Sequence, residues 1–466
     1  MRKEWIVIGI IGLVLSSGTG MVSAVKDSVD LLIIAPDDLE GSFDALVAHK
    51  QLYGISSKIV SLDEVYLSVY FPVQGRDDAE KIKCFIKDAH EQWDVEYVML
   101  VGGKTVMPVR YLDVTSEQSG GSWHFISDLY YADIYNSTGG FCSWDSNGNN
   151  QFGEANDNVL VDDVHLIPDV CVGRLLCSSV SEAALVVNKI ITYESSAVGL
   201  APWFKNLVLT GGDEFPNVFI EYILPLLIRH KGRMAFEGIY TSNQIAAIMS
   251  GFTPKKIFAS RSMTDDAMFL TKENIIGAID EGAGFVAFNS HGLDDRIETH
   301  PPLQKTIWVP SGGGFTSSDV MSLQNHEKLP VVVFNACLCG DFDSSTSPIA
   351  WEFIRNAEGG GIASLACTCT SDNLPGTLCT ETMLGYLTTT FFTQYDSGTS
   401  IVGELWKDSI TAYANDAEAM RIGALNISIG DNVVIVKGPC FTNHFVMEEW
   451  ALFGDPSLRI GGFGCF

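Results

Sequence analysis

The sequence predicts an α/β fold with two tandem subdomains, each built on a mainly parallel sheet that helices flank. Short apolar runs rich in β-branched residues alternate with longer segments whose apolar residues recur at helical spacing. This alternation occupies residues 29–103 and starts again after residue 205. Several of the apolar runs lack polar alternation, which is typical of parallel strands that are covered on both faces.

The first subdomain is predicted to span residues 25–200. Its opening segments are the strand "VDLLIIAP", the helix "SFDALVAHKQLYG", the strand region "SSKIVSLDEVY", the helix "DDAEKIKCFIKDAHEQW" and the strand "VEYVMLVGG". This βαβαβ order indicates a parallel sheet. Residues 115–170 are polar and predict loops, and "VVNKIITYE" then predicts a helix. The turn-rich segment at 195–203 marks the expected boundary.

The second subdomain is predicted to span residues 201–466 and repeats the pattern. Its segments are the strand "NLVLTGG", the helix "VFIEYILPLLIRH", the strands "AGFVAFNSHG" and "LPVVVFNAC", the amphipathic segment "IAWEFIRNAEGG" and the strand "GIASLACTC". Val331 to Phe334 are too few for a helix and are all apolar, so we expect a central strand. Ligands bind at the carboxyl ends of such strands in open α/β sheets.

Residues 1–24 are typical of a secretory signal peptide. A basic start, Met1-Arg2-Lys3, precedes an apolar stretch and a small-residue site at Val22-Ser23-Ala24. We expect cleavage after Ala24 and a secreted protein. The alternative is a retained membrane anchor, although the apolar run is short for a bilayer span. The chain would contact a membrane only in that case.

The composition limits the partners of the protein. Hydrophobic residues make up 46% of the chain and charged residues 18%, which excludes disorder. A net charge of −28 predicts no binding to nucleic acid and favours basic substrates. The eleven cysteines allow up to five disulfides, with one thiol left over.

Two reactive side chains follow neighbouring apolar runs. His291 ends "FVAFNSH" and Cys337 ends "VVVFNAC", 46 positions later. If the two strands are parallel neighbours, an imidazole and a thiol meet at one sheet edge. Such a pair suffices for nucleophilic acyl transfer. Gly292 lets the backbone approach a substrate and can donate its N–H to an oxyanion, together with the N–H of Cys337.

The sequence at this point resembles the gingipain-type cysteine peptidases, relatives of the caspases and legumains. The phrase "NACLCGDF" and the preceding His-Gly carry the resemblance, and the segments "EYVMLVGG…MPVR", "SDLYYAD", "PDVCVGR" and "LFGDPSLRI" follow the order of that family. The resemblance implies a caspase-like second subdomain, with Cys337 as nucleophile, His291 as general acid/base and Gly292 in the oxyanion hole. It chooses Cys337 over Cys339, which the spacing alone leaves open.

The same resemblance implies further site residues. An acidic residue should orient the histidine, and the matching position is Asp213, with Glu214 as the next candidate. In arginine-specific members an acidic residue lies at the base of the specificity pocket, and the matching position here is Asn217. An amide cannot neutralise a buried cation, which weakens the case for arginine specificity. Asp372, an acid from another loop, could still reach the pocket. We expect cleavage after Lys or Arg only if this carboxylate lies in the pocket.

Metal binding is a separate expectation. The segment "DSNGNNQFGE" presents oxygen ligands for structural calcium at Asp145, Asn147, Asn149 and Glu154, although Asn156 stands where a complete EF-hand loop has Glu. The alternative is a polar turn without metal. A zinc site from Cys337, Cys339, Cys367, Cys369, His291 and His444 is disfavoured, because Cys-x-Cys spacing is unusual for zinc.

The sequence therefore predicts a secreted cysteine endopeptidase that hydrolyses proteins or peptides through a thioacyl-enzyme, without a catalytic cofactor. Two alternatives stay open. A non-catalytic surface binding module could share the fold, although neither Cys337 nor His291 is lost. A transpeptidase would use the same two side chains with an amine as acceptor.

Overall fold

The computed structural model describes residues 28–116, 121–156, 159–216, 235–260, 266–421, 426–429, 432–435 and 442–464. The predicted signal peptide, the predicted helix at 218–230 and Asn217 lie outside these residues.

The described part of the chain contains twenty strands. They are β1 Leu31–Ala35, β2 Ser57–Ser61, β3 Tyr97–Val101, β4 Tyr111–Ser116, β5 Gly121–Ile126, β6 Ala155–Asn156, β7 Val159–Leu160, β8 Cys171–Leu175, β9 Asn206–Gly211, β10 Thr253–Phe258, β11 Met268–Phe269, β12 Phe285–Asn289, β13 His291–Leu293, β14 Arg296–Glu298, β15 Phe315–Thr316, β16 Val331–Asn335, β17 Ala363–Cys367, β18 Asn426–Ile429, β19 Asn432–Ile435 and β20 Trp450–Phe453.

The same residues form twelve α-helices. They are α1 Asp44–Leu52, α2 Leu62–Tyr66, α3 Asp78–Trp93, α4 Leu129–Ala132, α5 Val180–Ser195, α6 Glu237–Ile248, α7 Lys272–Asp280, α8 Ser317–Val320, α9 Ile349–Arg355, α10 Met383–Asp396, α11 Val402–Asn415 and α12 Thr442–Glu448. Local sequence sets several of their starts. The side chain of Asp77, for example, accepts the N–H of Glu80 and caps α3.

One sheet of eleven strands runs through both halves of the chain, in the order β11-β10-β9-β12-β16-β17-β20-β8-β3-β1-β2. All neighbours are parallel except β17 and β20, which are antiparallel. The strands of the first half and β20 therefore run opposite to the other strands of the second half. The carboxyl ends of β9, β12 and β16 meet at an edge that the strands of the first half do not share.

This arrangement confirms the predicted α/β class with mainly parallel strands flanked by helices. The two halves share this one sheet, so the sheet itself does not mark a boundary near residue 200. The boundary stays a prediction. Residues 115–170, expected to be loops, also contain short strands. They belong to a small sheet of order β5-β4-β6-β7. The described residues also form a three-stranded sheet, β13-β14-β15, and a two-stranded sheet, β18-β19.

The core explains the apolar runs. Every residue of β1, β12 and β16 is buried, because helices cover both faces of the central sheet. Each fully buried Val, Leu, Ile or Phe side chain contributes about 1.5–3 kcal/mol to stability. Within the residues that the structure describes, no helix is both long and apolar enough to cross a lipid bilayer.

Candidate active site

Strand register brings the two predicted reactive residues to one edge of the sheet. β12 and β16 are parallel neighbours with Asn289 opposite Asn335, so the condition on which the sequence argument depends is met. His291 and Cys337 each follow two residues after these partners, so both leave the sheet at the same level. The juxtaposition follows from the matched lengths of the two apolar runs.

A buried polar network fixes the ends of these strands. The side-chain amide of Asn335 donates to the side-chain oxygen of Asn289 over 3.2 Å. Asn289 in turn donates to the hydroxyl of Ser242 on α6 over 2.9 Å, and that hydroxyl donates to the carbonyl of Thr210 on β9 over 2.8 Å. Buried polar groups in a satisfied network make a strand shift costly. The network therefore holds three strand ends in register beneath the site.

Gly292 packs directly against the loop that carries the thiol. A Cβ atom added to Gly292 would lie 2.3 Å from the carbonyl oxygen of Cys337 and 2.6 Å from the sulfur of Cys339. Such distances exclude a side chain at this position. The absence of one lets the His-Gly segment and the Cys337 backbone approach each other, as an oxyanion hole shared between them requires.

The structure separates the two candidate thiols. The Cys337 side chain is partly exposed, and its sulfur donates to the carbonyl oxygen of Ser371 over 3.2 Å. Cys339 is fully buried under Gly292. The two cysteines differ because β16 ends at Asn335 and Leu338 has a φ of 55°, so the chain is not extended between them. Only Cys337 is open to a substrate.

Burial raises the pKa of the Cys337 thiol to about 12, and the nearby negative charges of Glu449, Asp372 and Glu214 act in the same direction. Burial also raises the pKa of Cys339 well above its usual value. In the resting site the Cys337 thiol is therefore protonated. Attack by its sulfur requires a group that takes up the proton.

His291 is held in one tautomer. Its Nε2 donates to the carbonyl oxygen of Glu214 over 2.9 Å, because a carbonyl oxygen can only accept. This leaves Nδ1 as the ring atom that can take up a proton. Burial lowers the pKa of His291, and the neighbouring His300 lowers it further. The resting imidazole is therefore a neutral base.

Asp213 lies beside this histidine but has other described contacts. Its backbone N–H donates to the carbonyl of His300 over 2.9 Å, and its carboxylate accepts the N–H of Leu303 over 2.7 Å. The carbonyl oxygen of Glu214 accepts a hydrogen bond from the His291 ring. The orienting role of Asp213 stays a prediction.

Two buried carboxyl groups flank the site. Burial raises the pKa of Glu214 to about 8, and repulsion from Glu237 adds to this effect. Burial also raises the pKa of Glu237 to about 7. Glu237 accepts the N–H of Glu214 over 3.2 Å and that of Gly376 over 2.6 Å, and Asn373 donates to Glu214 over 3.1 Å. These contacts join the segment after β9 to the loop after β17.

The loop after β17 forms the wall next to Cys337. The carbonyls of Cys367 and Cys369 accept the N–H groups of Gly340 and Leu338 over 2.8 and 2.9 Å. Asp372 follows Ser371 in this wall, and its side chain is exposed. Its charge acts on the Cys337 thiol, so it lies near that sulfur. The other predicted pocket residue, Asn217, lies outside the described residues.

The predicted calcium ligands are brought together but are occupied by hydrogen bonds. Both Asn147 and Asn149 donate their side-chain amides to Glu154, over 3.0 and 2.9 Å. Arg76 forms an ion pair with Asp145 over 2.5 Å, and a cation already placed there repels a second one. In this arrangement the residues do not fit calcium and favour a polar turn. Calcium binding stays a prediction.

The alternatives that involve cysteine chemistry gain no support. Across the described ranges, no three His, Cys, Asp or Glu residues are grouped so that they could hold a metal ion. The nine cysteines within those ranges are all free thiols.

Three groups near His291 and Cys337 were missed from the sequence. Trp308 packs edge-on to the His291 ring at 5.5 Å between centroids. The carboxyl group of Glu237 accepts hydrogen bonds from two loops. The carbonyl oxygen of Ser371 accepts a hydrogen bond from the Cys337 thiol. Trp308 could have been noticed as an aromatic residue in a polar loop. The other two contacts join residues far apart in the chain and leave no local pattern.

Comparison with known sequences gives one match. The sequence profile of peptidase family C25 matches residues 24–461 of the 466. No curated protein matches the chain.

The fold is similar to that of three solved structures. The complex of the pro- and mature domains of RgpB from Porphyromonas gingivalis has 17% identity and a TM-score of 0.62, covering 92% of this chain and 79% of that chain. The Arg-specific cysteine proteinase gingipain R (RgpB) has 18% identity and a TM-score of 0.61, covering 94% and 79%. A third structure, described only as a protease, has 14% identity and a TM-score of 0.58, covering 92% and 78%. These likenesses confirm the predicted caspase-like fold of the gingipain type.

Proposed function

Because the chain belongs to peptidase family C25 and is therefore a cysteine-type peptidase, we propose that Cys337 is its nucleophile and that His291 transfers the protons. The observation that carries this proposal is the register of β12 and β16, which delivers both side chains to one edge of the sheet. The exposure of Cys337 beside the fully buried Cys339 supports the choice of thiol.

The chemistry follows from the protonation states. As the sulfur of Cys337 attacks the peptide carbonyl, Nδ1 of His291 takes up the thiol proton and then gives it to the leaving amine. The products of this step are a thioacyl-enzyme and a free amine. Water then attacks the thioester while the imidazole takes up one of its protons; the C–S bond breaks, the carboxylic acid product leaves, and the imidazole gives that proton to sulfur. The N–H groups of Gly292 and Cys337 would stabilise the oxyanion, and each is worth about 10²–10³ in rate.

Paired variants test this proposal. Cys337→Ala should lower the cleavage of a peptide library on the order of 10⁴-fold or more, since no other group can form the thioester. Cys339→Ala should keep a large part of the activity, because that sulfur is enclosed. Equal activity of the wild-type protein and Cys337→Ala would overturn the assignment. Adding a free amine and analysing the products separates hydrolysis from transpeptidation.

We further propose that the pocket prefers a basic side chain before the cleaved bond. The charge of Asp372 acts on the Cys337 thiol, and the chain has a net charge of −28. One structural neighbour is named as Arg-specific. Asp372→Asn should lower kcat/KM for Arg and Lys peptides about tenfold, equivalent to about 1.4 kcal/mol. Asp78→Asn, which removes the same charge in the first half, is the matched control.

An unchanged preference in Asp372→Asn, or a wild-type preference for apolar or acidic residues at that position, would refute the basic pocket. Either result would leave the roles of Cys337 and His291 untouched.

We also propose that the protein is secreted. The basic, apolar and small-residue order of residues 1–24 supports export with cleavage after Ala24. Expression of the full chain in a secreting host, followed by amino-terminal sequencing, tests it. A mature chain that starts at Val25 in the medium is expected. An uncleaved chain in the membrane fraction would support the anchored alternative.

A further inference from the structure

A patch of exposed apolar side chains borders His291. Leu293, Leu303, Ile307 and Trp308 are 43%, 38%, 45% and 44% exposed. Leu293 lies two residues after the histidine on β13, and alternate residues of a strand share a face. The other three belong to the segment that follows β14. Exposed apolar groups collected in one place on a highly acidic protein indicate a binding surface.

The segment that presents the patch is held firmly. Thr299 and Val309 exchange two backbone hydrogen bonds, each 2.9 Å long. Nδ1 of His300 lies 2.7 Å from the carbonyl oxygen of Ile307. Because a carbonyl oxygen can only accept, Nδ1 donates this hydrogen bond. Asp213 binds the segment through the carbonyl of His300 and the N–H of Leu303. A surface fixed in this way loses little entropy when it binds a ligand.

The patch is continuous with the reacting groups. The ring of His300 packs under Trp308 with centroids 3.8 Å apart, and the edge of the His291 ring contacts Trp308 at 5.5 Å. The indole of Trp308 therefore lies next to the imidazole at which the proposed proton transfer takes place.

The proposed role of His291 indicates which side of the cleaved bond faces the patch. The imidazole protonates the leaving amine, so the residue that carries this amine lies on the histidine side of the cleaved bond. From this geometry we infer that Leu303, Ile307 and Trp308 form a subsite for an apolar side chain of the peptide substrate on the leaving-group side of the cut. The inference rests on the proposed function, because it uses His291 as the proton donor.

The expected preference is moderate in size. Partial burial of one aliphatic or aromatic side chain against the indole discriminates by about tenfold against glycine at the same position. The subsite would act on substrate choice independently of the charged pocket near Asp372, which receives the residue before the cut.

Profiling of a randomised peptide library by mass spectrometry tests the subsite. The wild-type protein should favour Leu, Ile, Phe or Met directly after the cut, by about tenfold over Gly. Trp308→Ala should remove this preference and leave the residue before the cut unchanged. Ile307→Ser, at a surface position, provides a second variant in case Trp308→Ala does not fold. Leu200→Ser, which changes an apolar side chain that is 73% exposed elsewhere, is the matched control.

The outcomes separate this inference from the proposed function. Cleavage by Cys337→Ala at the wild-type rate would overturn the catalytic assignment itself. With that assignment intact, a wild-type profile without apolar preference after the cut overturns the subsite, as does a preference that survives in Trp308→Ala and Ile307→Ser. If Trp308→Ala forms a smaller assembly in solution than the wild-type protein and its cleavage profile is unchanged, the subsite is overturned and the patch is a contact between copies of the chain.

Discussion

Two regions of the molecule bury acidic side chains in opposite ways. In one, Lys50 of α1 forms ion pairs with Glu194 of α5 over 2.8 Å and with Asp455, just after β20, over 2.7 Å, and all three side chains are fully buried. Around Cys337, the buried acids Glu214 and Glu237 form no ion pair with a base among the described residues, and they bind N–H groups instead.

This difference shows two physical solutions to the cost of burying a charge. An ion pair offsets the loss of hydration by attraction to an opposite charge, whereas an unpaired carboxyl group keeps its proton. The pKa values follow the pattern. The negative partners raise the pKa of Lys50 although burial opposes them, and burial raises the pKa of Glu214 and Glu237. The paired region is built for rigidity, and the unpaired region contains groups that titrate near neutral pH.

Removal of the base in the paired region should give the largest effect on stability. Lys50→Met leaves Glu194 and Asp455 buried without their cation, which should lower the free energy of unfolding by about 3–5 kcal/mol. Urea denaturation measures this change. A loss below about 1 kcal/mol would show that the pairing does not compensate burial in this region.

A smaller effect is expected from Glu237→Gln in the unpaired region. The glutamine keeps one acceptor oxygen but turns an N–H group toward the N–H of Glu214 or Gly376. One unsatisfied buried donor costs about 1–3 kcal/mol in the free energy of unfolding. Urea denaturation at pH 5 measures it, with Glu281→Gln on the exposed surface as control. An effect as small as that of the control would contradict this role of Glu237.

The pH dependence of stability sharpens the comparison further. Because folding raises the pKa of Glu237 from 4.5 to about 7, its contribution to stability is complete below about pH 4.5 and is lost as the pH rises through about 7. Between pH 5 and 8 the melting temperature of the wild-type protein should therefore fall more than that of Glu237→Gln, by about 2–4 °C. Parallel melting curves over this range would show that Glu237 does not titrate there.

The smallest effect is expected at an exposed ion pair. Lys87 lies 3.0 Å from Glu91 one turn further along α3, and its side chain is 24% exposed. Since solvent screens such pairs, Lys87→Met should change the free energy of unfolding by less than about 0.5 kcal/mol. Urea denaturation alongside Lys50→Met checks it. Equal losses for the two lysine variants would mean that burial does not decide the strength of pairing.

Much of the fold could be predicted because the strands carry local signals. The run from Val331 to Phe334 predicts β16, and the run before His291 predicts β12; their pairing, which the sequence argument assumes, is present in the structure. Equal spacing from Asn289 and Asn335 then places the two reactive residues together. The buried position of Cys339 could not be predicted, because it depends on the left-handed backbone at Leu338.

Other features depend on contacts between distant parts of the chain. The apolar run "WALF" forms β20, but nothing in it shows that β20 lies between β17 and β8 and reverses the direction of the sheet. The segment that carries Trp308 is held by Asp213, which lies about ninety positions earlier. The sequence marks Asp213 as an acid near the site, and only the fold shows that it binds the N–H of Leu303.

The identity of the nucleophile can be measured by trapping it. A set of peptides with an acyloxymethyl ketone in place of the cleaved bond should form one thioether, which peptide mapping by mass spectrometry locates on Cys337. In the proposed mechanism Nδ1 of His291 takes up the thiol proton, so His291→Gln should slow adduct formation strongly without moving it to another residue. An adduct on Cys339 or Cys369, or one that forms equally fast in Cys337→Ala, would contradict the account.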